Sequence, residues 1–371
     1  MADDNVSLAL NGSLPMNSEI EQLERMKNNI KTTYIWVAWA LGFPGNVLCV
    51  VTVLSMSGSS PATFLVSALA VSDGLTISIK LLVHQLARWK VYLGTVGCKS
   101  MFMSLFLTSV GNWILALICG ERYVAVCYPL KKIYIVTRRR CQVSVAILTI
   151  SNFVLFASMF YVMRDSNDSG FKCGTYRKYF TFWMTGWYWI NTSISLFLPF
   201  TCIVLLTALI VRGLMRSRRE RRSIFGKTTN GSKRVVNEGL SYSNIDSGGN
   251  GRCPNQRLLQ EAEAVEKSIT VMLILAASIF LVLALPACVY LLVYRQPAQG
   301  EVRDPVSEAR WALFEQIQFV FIDFSHAINF FLYFLSAQRF RRQLYHVIRC
   351  KRLSRKDHQS MTLEMTNASH I

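Results

Sequence analysis

The fold of this chain follows from one stretch of 23 residues, Ala62–His84, which reads ATFLVSALAVSDGLTISIKLLVH. The stretch can cross a bilayer as a helix, because about 20 mostly apolar residues span the ~30 Å hydrocarbon core. Six further stretches have the same character: Tyr34–Leu54, Cys98–Val126, Cys141–Met163, Tyr188–Val211, Ser268–Tyr294 and Trp311–Leu335. A soluble globule could not bury seven such helices, so the sequence predicts an all-α, integral membrane bundle of seven transmembrane helices.

The distribution of charge predicts the orientation. The chain carries 40 Lys and Arg against 22 Asp and Glu, a formal net charge of +18. The basic residues concentrate between the third and fourth helices, between the fifth and sixth, and after the seventh. These segments share one side of the membrane, which the positive-inside rule makes cytoplasmic. We therefore expect an extracellular N-terminus, a cytoplasmic C-terminus, a plasma-membrane location, and a basic surface that binds membrane lipids rather than nucleic acid.

Composition divides the chain into three parts. Residues 1–33 are expected to form an extracellular N-terminal arm, and residues 34–337 the seven-helix domain. A cytoplasmic insert, about 216–260, is rich in Ser, Gly, Asn and basic residues. Residues 338–371 are expected to be a short amphipathic helix and a cytoplasmic tail, because apolar residues recur there at helical spacing among arginines.

Covalent modification is expected at several sites. Of the ten cysteines, Cys98 and Cys173 are the two expected on the oxidising side, so the sequence predicts a disulfide between them. Cys350 closes the amphipathic helix, and palmitoylation and an unmodified thiol are equal alternatives for it. Glycosylation sequons on the outer side begin at Asn5, Asn11 and Asn167.

Short motifs occur in a fixed order along the seven stretches. They are Gly45-Asn46, Leu69-Ala70-Val71-Ser72-Asp73, Glu121-Arg122-Tyr123, Pro199, Phe280 with Pro286, and Asn329-Phe330-Phe331-Leu332-Tyr333. This order resembles the rhodopsin-like (class A) G-protein-coupled receptors over roughly Tyr34 to Cys350. An Asn-Phe-x-x-Tyr seventh helix without a Trp in the sixth is similar to invertebrate neuropeptide receptors, such as those for FMRFamide-like peptides.

The resemblance implies roles for particular residues. Asp73, with Asn46 and Asn329, matches a sodium site, and a structural hydrogen-bond hub is the alternative. Arg122 is expected to pair with Glu266 and to hold the receptor closed until helix six moves; the alternative is that Glu266 belongs to the solvated run Glu261, Glu263, Glu266 and Lys267. The remaining residues expected in the switch and in G-protein coupling are Glu121, Tyr123, Phe280, Pro286, Asn329 and Tyr333.

Several positions depart from the family pattern. The sixth helix has Leu283-Ala284-Leu285-Pro286 where the family usually has Cys-Trp-x-Pro. Phe330 stands where Pro is usual in the seventh helix, and His326 stands where the sodium site usually has a small polar residue. These departures put in doubt both activation through a Trp rotamer and sodium binding.

Two charges in the outer half of the bundle suggest the ligand site. Lys80 and Asp323 are expected to pair with each other or to bind charged ends of a ligand, because ionisable residues at membrane depth carry a large desolvation penalty. A purely structural bridge is the alternative. His84 and either Ser104 or Leu105 are expected to line the same cavity.

We expect a receptor, not an enzyme, that binds an extracellular peptide ligand, most plausibly a neuropeptide, and activates a heterotrimeric G protein. Arrestin and kinases are expected as further partners. A receptor for a lipid or small molecule is the main alternative, and a channel or transporter is a weaker one. No catalytic or metal-binding motif occurs in the sequence, so no cofactor is expected except the sodium ion considered above.

Overall fold

The computed structural model describes residues 3–56, 60–89, 91, 94–165, 173–235, 254–294, 304–336 and 338–349, with the side chains of a smaller set. Asn167 and Cys350 lie outside the described residues. The side chains of Asn5, Asn11, Cys173 and Glu266 are likewise outside the description, although their backbones are inside it.

The described part of the chain is helical apart from one short hairpin. The helices are α1 (Asp3–Ser55), α2 (Pro61–Arg88), α3 (Gly94–Cys127), α4 (Pro129–Ile135), α5 (Arg138–Val162), α6 (Phe180–Phe182), α7 (Tyr188–Thr192), α8 (Leu198–Val235), α9 (Pro254–Val293), α10 (Pro305–Ser336) and α11 (Gln338–Ile348). Strands β1 (Met163–Asp165) and β2 (Cys173–Thr175) pair antiparallel, with Arg164 opposite Gly174.

Seven helical segments of the described chain are long and apolar enough to cross a membrane. They are Ser18–Ser55, Pro61–Arg88, Val96–Cys127, Arg138–Val162, Phe180–Arg216, Thr270–Val293 and Pro305–Leu335. The predicted all-α bundle of seven transmembrane helices is therefore confirmed, and the chain is a multi-pass membrane protein. Large apolar side chains such as Leu54, Val154 and Leu292 stay exposed around the bundle, where lipid would cover them.

Local chemistry explains where two of these helices begin. Ser60 precedes α2, and its hydroxyl oxygen accepts a hydrogen bond from the Thr63 amide at 3.2 Å. Pro61 follows at the first helical position, where its missing N–H would have had no partner in any case. Thr137 caps α5 in the same way by accepting from the Arg140 amide at 3.3 Å.

The spans extend further than their apolar stretches. The fifth begins at Phe180, before the predicted Tyr188, because π-helical turns at Trp183–Trp187 and Ser193–Phe197 join α6, α7 and α8 into one run. α1 continues outward from the apolar stretch as far as Asp3. Its outer part is tied to α10 by an ion pair between Glu19 and Arg310 at 2.6 Å. Hydropathy detects only the part of a helix that faces lipid, and so it misses these polar extensions.

α3 lies at the centre of the bundle. It packs against α2, α5, α8 and α9, while α1 packs between α2 and α10, and α10 packs against α9. α11 lies against α1 and α10, and it buries Phe340 and Leu344 in that contact. This arrangement directs side chains from α2, α3 and α10 into one interior, where the candidate site is found.

Candidate functional site

A polar cluster occupies the middle of the bundle around Asp73 on α2, which is 1% exposed. Its Oδ1 lies 2.7 Å from Nδ1 of His326, and its Oδ2 accepts a hydrogen bond from Nδ2 of Asn329 at 2.7 Å. Asn46 on α1 donates to the backbone carbonyl of His326 at 3.1 Å. The cluster therefore connects α1, α2 and α10, and the Asp73 carboxylate has a nitrogen partner on each oxygen.

A small cavity adjoins Asp73 between α2, α3, α9 and α10. It has room for about one water molecule. Gly111 faces the carboxylate from α3, since a Cβ built on it would lie 3.3 Å from Asp73 Oδ1. Phe280 on α9, which is 8% exposed, forms part of the wall.

The sodium ion considered from the sequence does not fit this arrangement. Hard cations take several oxygen ligands, whereas both oxygens of Asp73 already face nitrogen atoms of His326 and Asn329. α3 presents Gly111, which has no side-chain oxygen, to the carboxylate. Of the two alternatives for Asp73, this geometry supports the hydrogen-bond hub.

A second charged cluster lies in the outer half of the bundle. The Lys80 ammonium on α2 forms an ion pair with Oδ1 of Asp323 on α10. Tyr34 on α1 donates its hydroxyl to Oδ2 of the same carboxylate at 3.2 Å. The side chain of Asp323 is 2% exposed and that of Lys80 is 20% exposed, so the carboxylate is enclosed while part of the Lys80 side chain remains accessible.

The inner end of α3 carries the third group. The Arg122 guanidinium pairs with Glu121, its neighbour in sequence, and both side chains are buried at 5% and 4% exposure. Arg122 also borders a narrow space between α3, α8 and α9, together with Thr207 and Leu273. Because the side chain of Glu266 is outside the description, its pairing with Arg122 stays a prediction.

Comparison with known proteins identifies this arrangement. The family described as 7 transmembrane receptor (rhodopsin family) matches residues 45–333, more than three quarters of the chain. The chain belongs to the rhodopsin family of seven-transmembrane receptors. Membership agrees with the expectation that this protein is a receptor and not an enzyme.

The chain is also similar to growth hormone secretagogue receptor type 1 of Sus scrofa. The two are 27% identical over 192 residues, which make up 49% of this chain and 52% of that receptor. The chain thus spans about half the length of this curated relative in the match. The more specific likeness to FMRFamide-like peptide receptors stays a prediction.

The other residues predicted on α2 and α3 are not among the contacts described for these three clusters. Tyr123 contacts the ring of Tyr128 edge to face, with centroids 5.9 Å apart. Ser104 is half-buried and Leu105 is 37% exposed, and their assignment as ligand contacts stays a prediction. His84 on α2 is half-buried, and its Nε2 has no hydrogen-bond partner among the described residues.

The structure gives the surroundings of two predicted switch residues, one on α9 and one on α10. It also describes the first of the two outer cysteines. Pro286 lies inside α9 and is half-buried. Tyr333 on α10 is 1% exposed, and its hydroxyl has no hydrogen-bond partner among the described residues. Cys98 is fully buried and disulfide-bonded. Cys173 lies on β2, and its role as the partner of Cys98 stays a prediction because its side chain is outside the description.

Sequence reasoning missed the polar contacts that fix α3 in this receptor. Trp113 donates its indole N–H to the Ile194 carbonyl at 3.0 Å, and Asn112 donates to the Ser195 carbonyl at 2.9 Å. Both acceptors lie in the second π-helical turn of the fifth span. Such turns interrupt the regular ladder of backbone hydrogen bonds and often mark functional sites. A polar Asn next to Trp in an apolar stretch was the available signal.

Proposed function

We propose that this receptor lies in the plasma membrane with its N-terminus outside, binds an extracellular peptide, most plausibly a neuropeptide, in the outer half of the bundle, and activates a heterotrimeric G protein at its cytoplasmic face. Family membership over residues 45–333 supports the receptor class and the coupling to a G protein. The similarity to a growth hormone secretagogue receptor supports a ligand that acts as an extracellular messenger.

The observation that carries the peptide assignment is the pair formed by Lys80 and Asp323. Two buried charges that pair with each other leave little net stabilisation, because desolvation offsets much of the attraction. The pair is uneven, since Lys80 is 20% exposed while Asp323 is 2% exposed. A carboxylate of a ligand, on a side chain or at a peptide C-terminus, can therefore approach Lys80 where its side chain is accessible.

This contact offers a route from the outer site to the centre of the bundle. Asp323 and His326 are three residues apart on α10 and so share one face of the helix. Asp323 is bound to Lys80 and Tyr34, whereas His326 is bound to Asp73. A ligand that draws Lys80 away from Asp323 would favour a different position of α10. Activation is then a shift of population toward the state that binds the ligand more tightly.

The cytoplasmic end of the proposed mechanism is centred on Arg122. Arg122 borders the space between α3, α8 and α9 together with Leu273. Glu266 is seven residues before Leu273, so the two positions share a face of α9 about two helical turns apart. We infer that Glu266 and Arg122 hold α9 against α3, and that their separation on activation exposes Arg122 to the G protein.

The ligand experiment is a calcium and cyclic-AMP screen of amidated neuropeptides, biogenic amines and lipids on cells that express the full chain. We expect a peptide agonist whose potency falls at least about tenfold in both Lys80→Ala and Asp323→Asn at equal surface expression, a change of ~1.4 kcal/mol or more. If only lipids or amines activate the receptor, the peptide assignment is wrong.

A charge-swapped variant serves as the matched control. Lys80→Glu combined with Asp323→Lys restores an ion pair between α2 and α10 but places the positive charge on the other helix. If the two charges only bridge the helices, the double variant recovers agonist potency. If Lys80 binds the ligand, surface expression recovers while potency stays low, which is the result we expect.

The proposed lock at the cytoplasmic end is tested without any ligand. Glu266→Ala is expected to raise basal guanine-nucleotide exchange several-fold. Glu261→Ala is the control that should leave it unchanged, because five residues along a helix place Glu261 on a different face from Glu266. Equal basal exchange in Glu266→Ala and the unmodified receptor, at matched expression, would show that Glu266 does not hold the closed state.

The remaining partners are proposed from charge. The basic cytoplasmic segments would bind the G protein and anionic membrane lipids, and kinases and arrestin would act on the receptor after activation. α11 supports the lipid contact, because it buries Phe340 and Leu344 against the bundle and leaves Ile348 58% exposed on a basic helix. Its basic side chains can then meet lipid headgroups at the membrane interface.

A further inference from the structure

We propose that His326 takes the place of a cation beside Asp73, so that the centre of this receptor is closed to sodium. His326 Nδ1 lies 2.7 Å from Asp73 Oδ1, and the two residues are 3% and 1% exposed. Whichever of the two atoms carries the proton, one hydrogen lies between them. That oxygen is therefore occupied by a group of the protein in every protonation state that keeps this contact.

The second oxygen of the carboxylate is occupied in the same manner. Asn329 donates to Asp73 Oδ2 at 2.7 Å from one helical turn further along α10. Asn46 fixes the backbone at this point by donating to the His326 carbonyl at 3.1 Å. Two side-chain nitrogens on one helix thus occupy both oxygens of the Asp73 carboxyl group, so neither oxygen needs a cation as its partner.

The surrounding wall leaves a hard cation little room beside the carboxylate. Gly111 of α3 brings no side-chain oxygen to it, since its missing Cβ would lie 3.3 Å from Asp73 Oδ1. Ser325 and Asn112 line the cavity and donate to the backbone carbonyls of Ile322 at 2.7 Å and Ser195 at 2.9 Å, which leaves their oxygens available. The exclusion of sodium therefore rests on the two occupied oxygens of Asp73 and on the lack of space for the additional oxygen ligands that a hard cation takes. The cavity itself has room for little more than one water-sized sphere.

This arrangement has a consequence for regulation. A ligand shifts a conformational equilibrium only through a difference in its affinity for the two states. A cation that neither state admits cannot shift the equilibrium, so the link between α2 and α10 at Asp73 is independent of sodium concentration. His326 is accordingly a positioning residue that replaces a diffusible ion with a fixed N–H or N⁺–H donor.

The test measures the apparent melting temperature of the purified full-length receptor, without agonist, in sodium chloride against choline chloride at constant ionic strength. The unmodified receptor is expected to melt at the same temperature in both salts. His326→Ser frees Asp73 Oδ1 and adds a hydroxyl oxygen, so its melting temperature should rise by at least about 2 °C in 150 mM sodium. Asp73→Asn added to that variant should abolish the rise.

His326→Asn is the matched control, because its Nδ2 is attached to Cγ as Nδ1 of His326 is, so it keeps an N–H donor toward Asp73 and should stay insensitive to sodium. A sodium-specific rise in the unmodified receptor that Asp73→Asn removes would overturn the proposal. No sodium response in a folded His326→Ser variant would also overturn it, because His326 would then not be what excludes the ion. Should His326→Ser fail to fold, His326→Thr, which also frees Asp73 Oδ1 and adds a hydroxyl oxygen, replaces it with the same expected response.

Discussion

Replacing Gly42 by Ala should destabilise the receptor, because the added Cβ atom would overlap side chains of two neighbouring helices. Gly42 lies on α1 where the helix closely approaches Ile77 of α2 and Ala327 of α10. A Cβ at this position would lie 2.6 Å from Ile77 Cδ1, 2.9 Å from Ala327 Cβ and 3.0 Å from Ala327 Cα. Ile77 and Ala327 are 0% and 2% exposed, so neither has free space to move into. Because one contact is with backbone, the strain cannot be relieved by a rotamer change alone.

The expected magnitude follows from two opposing effects. Overpacking of a tight interior costs about 1–3 kcal/mol, and the backbone contact with Ala327 places this site at the upper end. Ala in place of Gly within a helix stabilises the folded state by up to about 1 kcal/mol through its higher helix propensity. The net loss is therefore about 2 kcal/mol, or roughly a few degrees in melting temperature.

Gly120 on α3 provides the matched control, since a Cβ built there meets nothing within 4 Å. Gly120→Ala should keep the gain in helix propensity without strain and melt at or above the temperature of the unmodified receptor. The assay is thermal unfolding of purified receptor followed by tryptophan fluorescence. If Gly42→Ala melts within about 1 °C of Gly120→Ala, the close approach of α1 to α10 is wrong.

Three further changes test other contacts. Ser109→Ala leaves the buried Asn152 Oδ1 without the hydroxyl that donates to it at 2.6 Å. It should lower the free energy of unfolding by about 1–3 kcal/mol. In the same unfolding assay, Ser151→Ala at an exposed position should change that free energy by less than about 0.5 kcal/mol. Trp113→Phe removes the bond to the Ile194 carbonyl; it should lower the melting temperature, and an unchanged value would contradict this link to the π-helical turn. Cys98→Ser should reduce agonist binding, and mass spectrometry of unreduced peptides from the unmodified receptor should show Cys98 joined to Cys173; a different partner would refute the predicted disulfide.

The amino-acid sequence determined the number of transmembrane helices, because hydropathy is a local sum that needs no knowledge of neighbours. It also identified Asp73, Lys80 and Asp323 as ionisable residues at membrane depth, where the cost of desolvation calls for a partner or a function. It placed helix ends less well at the first and fifth spans. Helix continues past the apolar stretch in α1, and π-helical turns carry the fifth span back to Phe180.

A pair between Lys80 and Asp323 was one alternative from the sequence and the family resemblance; the tertiary structure brings these two together and adds the contact of Asp73 with His326. Asp73 contacts His326 across 253 positions of sequence, and Lys80 contacts Asp323 across 243. Each pairing depends on how far a helix is rotated about its axis and how closely it approaches the next, as at Gly42 against Ala327. Those quantities are set by packing among several helices at once, so hydropathy can show that a charge is buried but not which partner it has.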